Sequence, residues 1–222
     1  MITAVQKPFE EIYRMVEASG KLLILGCGTC VTVCMAGGEK EVGILASTLR
    51  LACRERGSSL EIEEATIERQ CDREFFDPVK AQVLGADAVL SMACGVGVQF
   101  CSELFEGKRV LPALNTRFYG TTVQQGLWSE RCAGCGTCVL DRFGGVCPVA
   151  RCAKSLLNGP CGGAQDGKCE VDKEIDCGWQ LIYDRMSALG LLDSLMEIQP
   201  VKDWSTGRDG GPGRIRRQDV EL

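Results

Sequence analysis

The apolar positions in the first half of the chain follow two periods in alternation. In residues 8–19, Phe9, Ile12, Tyr13 and Val16 recur at intervals of three and four, one face of a helix, and Gly20 stands where a C-capping glycine belongs. Residues 21–26 are nearly unbroken Leu and Ile, the mark of a strand buried on both faces. Residues 39–56 predict a helix with Val42, Leu45, Ala46, Leu49, Ala52 and Cys53 on its apolar side, ended by Gly57. Residues 60–65 alternate like a strand with one wetter face. Residues 75–84 read as helical with a break near Pro78, 88–92 as a second buried strand, 96–105 as a helix and 109–114 as a fourth strand. Strands alternating with helices from about 20 to 115 predict an α/β fold, a Rossmann-like or flavodoxin-like parallel sheet with right-handed crossovers. Residues 115–128 carry neither period and are expected to be a linker.

The periodicity then stops. Between positions 132 and 177 stand Cys132, Cys135, Cys138, Cys147, Cys152, Cys161, Cys169 and Cys177, interleaved with glycines and few long apolar side chains. Such a segment cannot bury enough apolar surface to fold by the hydrophobic effect alone, so something must cross-link it. Helical spacing returns at residues 179–189, expected to pack this lobe onto the sheet domain, and a short helix is expected at 191–198. The expected organisation is an α/β domain over 1–128, a cysteine-rich lobe with its packing helix over 129–198, and an extended tail over 199–222. The tail has glycines and arginines but no core of its own; it is either disordered or an arm that orders on a partner subunit.

Composition narrows the cross-link. The chain has 222 residues with 15 cysteines, no histidine and a net charge of −5. An odd cysteine count fits a disulfide framework poorly, and no signal-peptide pattern opens the chain, so a cytoplasmic protein with metal-bound thiolates is expected. Without imidazole, the sites that suit the chain are iron–sulfur clusters or four-thiolate zinc. The acidic balance argues against nucleic acid as a partner, and no apolar run is long enough to insert in a membrane.

In a parallel sheet all strands end on one edge, where ligands collect. Cys27 ends the first predicted strand and Cys94 follows the third; Cys30 and Cys34 lie one helical turn apart. Cys27, Cys30, Cys34 and Cys94 make a thiolate set for one [4Fe–4S] cluster, with Cys71 as the substitute fourth ligand. A thioredoxin-like pair at Cys27 and Cys30 is a competing reading. Cys53 and Cys101 fall on helices and read as buried core thiols. No Gly-x-Gly-x-x-Gly nucleotide motif is present.

In the lobe, Cys132-x2-Cys135-x2-Cys138 followed by Cys147-Pro148 has the local chemistry of the bacterial ferredoxin run, with a longer gap before Cys-Pro. Eight thiolates serve two four-ligand sites: at least one [4Fe–4S] cluster, and either a second cluster or a four-thiolate zinc. One grouping joins Cys132, Cys135, Cys138 and Cys177 and leaves Cys147, Cys152, Cys161 and Cys169; exchanging Cys147 or Cys152 into the first set is equally compatible with the spacing.

The strings at residues 26–34 (GCGTCVTVC), 93–99 (ACGVGVQ) and 131–138 (RCAGCGTC), with residues 154–163 and 169–179, resemble the MetV family. This is the small subunit of acetogen-type methylenetetrahydrofolate reductase, and the match runs from about residue 20 to 195. The resemblance implies a chain without a folate site, seated beside a TIM-barrel MetF-type flavoprotein. Its clusters would pass electrons between an external donor and the partner's flavin in one-carbon metabolism. From the residues alone, no histidine base and no nucleophile constellation points to catalysis by this chain. The alternatives are a structural adaptor whose metals only staple the lobe, and a stand-alone α/β enzyme with an open cluster at the strand edge.

Overall fold

In the computed structural model, which describes residues 1–217 and 219, Leu22, Leu23, Ile24 and Leu25 are wholly buried. Each contributes about 2 kcal/mol by leaving water. Around this run the first of two compact units, Met1–Trp128, is built. It opens with strand β1, Ile2–Gln6, and helix α1, Phe9–Val16; the apolar run is the middle of β2, Lys21–Cys27. The turn of helix α2, Cys30–Val33, and the long α3, Glu39–Glu55, lead to β3, Glu61–Ile67. A 3₁₀ stretch, Arg73–Val79, holds Pro78 and passes into α4, Lys80–Gly85, so the proline interrupts the helix where its missing N–H requires. Then come β4, Ala88–Ser91, α5, Gly95–Leu104, and β5, Arg109–Pro112.

The four strands form a parallel sheet in the order β3-β2-β4-β5. This is a doubly wound order, in which the chain reverses direction across the sheet between β2 and β4. Successive residues of β2 feed opposite faces. Leu22 and Ile24 pack with Ile12, Val16, Leu45 and Leu49 from α1 and α3. Leu23 and Leu25 pack with Phe76, Val83 and Cys101 on the other side. Burial on both faces is why the strand has no polar alternation, and the expected α/β parallel-sheet fold is found.

Two expectations for this unit are corrected. Gly20 does not cap α1, which ends four residues earlier. Its N–H, with that of Lys21, donates to Asp87 Oδ2 at 2.9 and 2.7 Å, tying the start of β2 to the approach to β4. Residues 115–128 are not a linker. Leu114–Gln124 is β6 and Leu127–Cys132 is β7, joined at residues 125 and 126 with Gly126 left-handed at φ +84°. With β1 they form a second sheet, β1-β6-β7, in which β1 runs antiparallel to β6 with Gln6 opposite Leu114. Of the residues of β6, Leu114 alone is buried, so no apolar alternation marks the strand; main-chain pairing with β1 forms it.

The second unit begins at Ser129, within β7. It contains a 3₁₀ turn at Leu140–Phe143, α6 at Pro148–Arg151, α7 at Gly178–Ala188, and 3₁₀ turns at Leu192–Met196 and Arg208–Gly210. Its core is small: Phe143, Cys177, Trp179, Ile182 and Met186. Phe143 and Trp179 meet edge to face, 5.7 Å between ring centroids. Thus the apolar face of α7, expected to dock the lobe onto the sheet domain, is filled by the lobe's own residues.

The expected tail belongs to this unit as far as the description reaches, with positions 218 and 220–222 outside the described residues. Gln199 is bonded in both directions to Asn158. Lys202 is 7% exposed. Its ammonium donates to the Thr137 carbonyl at 2.5 Å, and Thr137 N–H donates to Thr206 Oγ1 at 3.0 Å. The segment around 199–207 is neither a free tail nor an arm waiting for a partner.

Candidate functional site

The carboxyl ends of β2, β3 and β4 lie side by side, and a cysteine stands at or just past each. Cys27 closes β2 opposite Ile67, the last residue of β3, and the Gly28 N–H donates to the Ile67 carbonyl at 2.9 Å. The Cys27 sulfur lies 3.9 Å from the Glu68 carbonyl oxygen. Cys71 follows on the same segment, and Cys94 caps the start of α5 just past β4. Partial burial lifts the Cys71 thiol above its ordinary range, and the nearby sulfurs of Cys27 and Cys94 lift it further. Cys30 opens α2, half-buried.

Cys34 is engaged elsewhere. The Ala4 N–H of β1 points at its sulfur at 3.4 Å, and the thiol lies 3.6 Å from the carbonyls of Ala4 and Val31. Burial pushes this thiol up as well. Of the predicted set, then, Cys27 and Cys94 share the edge with Cys71, whereas the Cys34 sulfur packs against the main chain of β1. Cys53 and Cys101, read as core thiols, are buried, and burial pushes Cys101 up to about 11.

Sequence reasoning missed Gln70. It has no exposed surface. Its Nε2 donates to the Leu25 and Gly26 carbonyls at 2.7 and 3.1 Å, and its Oε1 accepts from Ser91 Oγ at 2.6 Å. A glutamine in a polar stretch after a strand gives no signal; burial appears only when β2 and β4 close over it.

In the lobe, Cys152, Cys161, Cys169 and Cys177 line one small pocket. The packing explains their convergence. Cys152 terminates α6 and Cys177 caps the start of α7. A Cβ added at Gly178 would stand 2.5 Å from the Arg151 carbonyl oxygen, so glycine is needed for the two helix ends to come this close. The Cys177 N–H donates to Gly167 O at 2.8 Å and the Cys169 N–H to Ile175 O at 3.0 Å, fixing the intervening loop. Trp179 forms part of the wall, and Lys154 and Glu170, which pair with each other, complete it. The Gly163 N–H approaches the Cys161 sulfur at 3.5 Å.

Cys132, Cys135, Cys138 and Cys147 remain, the four with ferredoxin-like local order. Gly134 and Gly136 are left-handed, at φ +64° and +81°, and turn the chain between the first three. The Gly134 N–H approaches Cys132 Sγ and the Ala150 N–H approaches Cys147 Sγ, each at 3.4 Å. The four cysteines that line this pocket are those left when Cys147 is exchanged into the first set, one of the three groupings open from spacing.

All fifteen cysteines are free thiols. Among the described residues, no three cysteine or carboxylate groups are disposed to hold a single metal ion as they stand. The donor chemistry nevertheless fits a thiolate-bound group: four sulfurs round one pocket, main-chain N–H groups aimed at sulfur, and a lobe core of five side chains.

A family model described as "Methylene-tetrahydrofolate reductase C terminal" matches residues 111–205. The matched segment contains all eight lobe cysteines and Lys202. Comparison with curated proteins and comparison with solved structures gave no match. No helix among the described residues is long and apolar enough to cross a membrane. Residues 111–205 are thus similar to the C-terminal region of methylenetetrahydrofolate reductases.

Proposed function

We propose that this chain is an iron–sulfur electron-transfer subunit of a cytoplasmic methylenetetrahydrofolate reductase complex, of the MetV type, working beside a MetF-type flavoprotein. The observation that carries the reading is the pocket lined by Cys152, Cys161, Cys169 and Cys177 within the segment that matches the reductase C-terminal family. Those four residues would hold one group. Cys132, Cys135, Cys138 and Cys147 would hold a second, and Cys27, Cys71 and Cys94, with Cys30, a third at the sheet edge. An iron–sulfur cluster, when bound, supplies one-electron transfer. The chain's part is to supply the thiolates, to aim the N–H groups of Gly134, Ala150 and Gly163 at three of them, and to limit water with Trp179 and the Lys154–Glu170 pair. The flavin and the folate belong to the partner subunit, and an external donor protein supplies the electrons.

The test is anaerobic purification of the full chain, counting iron, zinc and acid-labile sulfide, with EPR after dithionite. Sulfide at parity with iron and a reduced-cluster signal are expected, as is reduction of a MetF-type flavoprotein's flavin. Zinc without sulfide would remove the electron-carrier reading and leave the structural adaptor. Cys161→Ala should lower the metal content and destabilise the lobe, because metal binding adds folding energy where the core is small.

A further inference from the structure

We propose that Gln70 is the positioning residue of the N-terminal thiolate site, holding Cys27, Cys71 and Cys94 together as its working set. This deepens, and rests on, the reading of the sheet edge as a thiolate site.

Three segments must meet for these sulfurs to share a ligand: the end of β2, the loop after β3 and the end of β4. One side chain ties all three. Gln70 is in the loop, directly before Cys71. Its two amide hydrogens go to Leu25 and Gly26, the two residues before Cys27. Its oxygen takes the hydroxyl of Ser91, the last residue of β4, and the Ser91 oxygen in turn accepts the Ala93 N–H at 3.3 Å, directly before Cys94. Every tie ends one to three residues from a thiol.

The network is closed and dry. Both amide hydrogens and the amide oxygen of Gln70 are used, and Gln70 and Ser91 have no exposed surface. A buried amide costs stability unless its hydrogen bonds are made, so the three ends are held in one geometry or the network is lost. Gly97 permits the fit: a Cβ there would stand 2.9 Å from the Gln70 Cβ and 2.8 Å from the Ala93 Cβ. The site also falls between β2 and β4, where the strand order reverses and open parallel sheets leave a crevice. Apolar packing alone would hold the strands; it would not require a polar side chain addressed to the residues just before each cysteine.

Arsenite tests this without iron. One arsenous acid and three thiols give a trithioarsenite and three waters: three As–O and three S–H bonds break, three As–S bonds form, and no oxidation state changes. The full chain, stripped of metal by chelator under reductant, is titrated with arsenite, alkylated with iodoacetamide and mapped by mass spectrometry. In the wild type, Cys27, Cys71 and Cys94 should gain protection at one midpoint. Gln70→Met, which keeps the volume and drops all three hydrogen bonds, should move that midpoint at least tenfold higher, and Ser91→Ala severalfold. Val83→Ala, a core truncation in α4 where it packs on the same sheet, should lower the melting temperature and leave the midpoint in place. A folded Gln70→Met chain with the wild-type midpoint would overturn the assignment. If Gln70→Met does not fold, Ser91→Ala decides, and an unmoved midpoint overturns it. Iron-free protein as purified would sink the electron-carrier reading and not this result. A wild-type Cys71 alkylated equally fast with and without arsenite would sink the three-thiol site whatever the iron content.

Discussion

Lys202, 7% exposed, donates its ammonium to the carbonyl oxygen of Thr137, between Gly136 and Cys138. The contact holds the C-terminal segment against the first cysteine loop, with Thr206 accepting from the Thr137 N–H and Gly207 close against the Cys135 main chain. Lys202→Met keeps the aliphatic stem and leaves the carbonyl unpaired, a loss of about 2 kcal/mol. The expected outcome is earlier urea unfolding of the lobe and faster alkylation of Cys135, with wild-type unfolding of the sheet unit.

Cys34 and Cys71 should part company. The Cys34 sulfur packs against the main chain of β1, so Cys34→Ala should cost about 1 kcal/mol through a small cavity and leave metal content unchanged. Cys71→Ala should cost little stability and remove the metal of the sheet edge. Parallel metal counts and thermal melts check both. An equal loss of metal in the two variants would restore Cys34 as a ligand.

Cys101 has no exposed surface, and burial pushes its thiol up to about 11. In the unfolded chain the thiol ionises near pH 8.5. Between these values the unfolded state binds fewer protons than the folded one, so this thiol's contribution to stability is intact below about pH 8.5 and declines as pH rises toward 11. The slope is at most about 1.4 kcal/mol per pH unit. Cys101→Ala should flatten the alkaline decline seen in denaturant melts from pH 8 to 10, and in the native chain Cys101 should resist alkylation at pH 8.

Two glycines should respond oppositely to alanine. A Cβ at Gly37 would stand 1.9 Å from the Met92 carbonyl oxygen, so Gly37→Ala must displace main chain and should cost about 3 kcal/mol or more. Gly85, the last residue of α4, has nothing within 4 Å of an added Cβ, and Gly85→Ala should gain about 0.5 kcal/mol from the stiffer unfolded chain. Calorimetric melts of the two variants decide.

The second sheet shows why part of the fold was not legible. β6 exposes most of its residues, so it has no apolar period to read, and its partner β1 lies more than a hundred positions away in sequence. The tail misled for a related reason. Nothing in residues 199–207 looks like core, because what orders it is a lysine, two threonines and an asparagine making hydrogen bonds to distant main chain and side chains.

The amino-acid sequence by itself determined the doubly covered sheet, through the unbroken apolar runs of β2 and β4, and the placing of cysteines at strand ends, through topology common to parallel sheets. It also set the expectation that the lobe relies on thiolates, since eight cysteines stand among glycines and the chain has no histidine. Only the tertiary structure decided which thiols meet. Cys34 and Cys71 are equally good ligands as letters. The packing of β1 engages Cys34, whereas Cys71 follows the buried Gln70 in the loop after β3. Likewise the close approach of Gly178 to Arg151 brings Cys177 to the pocket that Cys152, Cys161 and Cys169 also line. Spacing limits how far apart two thiols can stand; hydrogen bonds and close packing from remote residues choose between the arrangements within that limit.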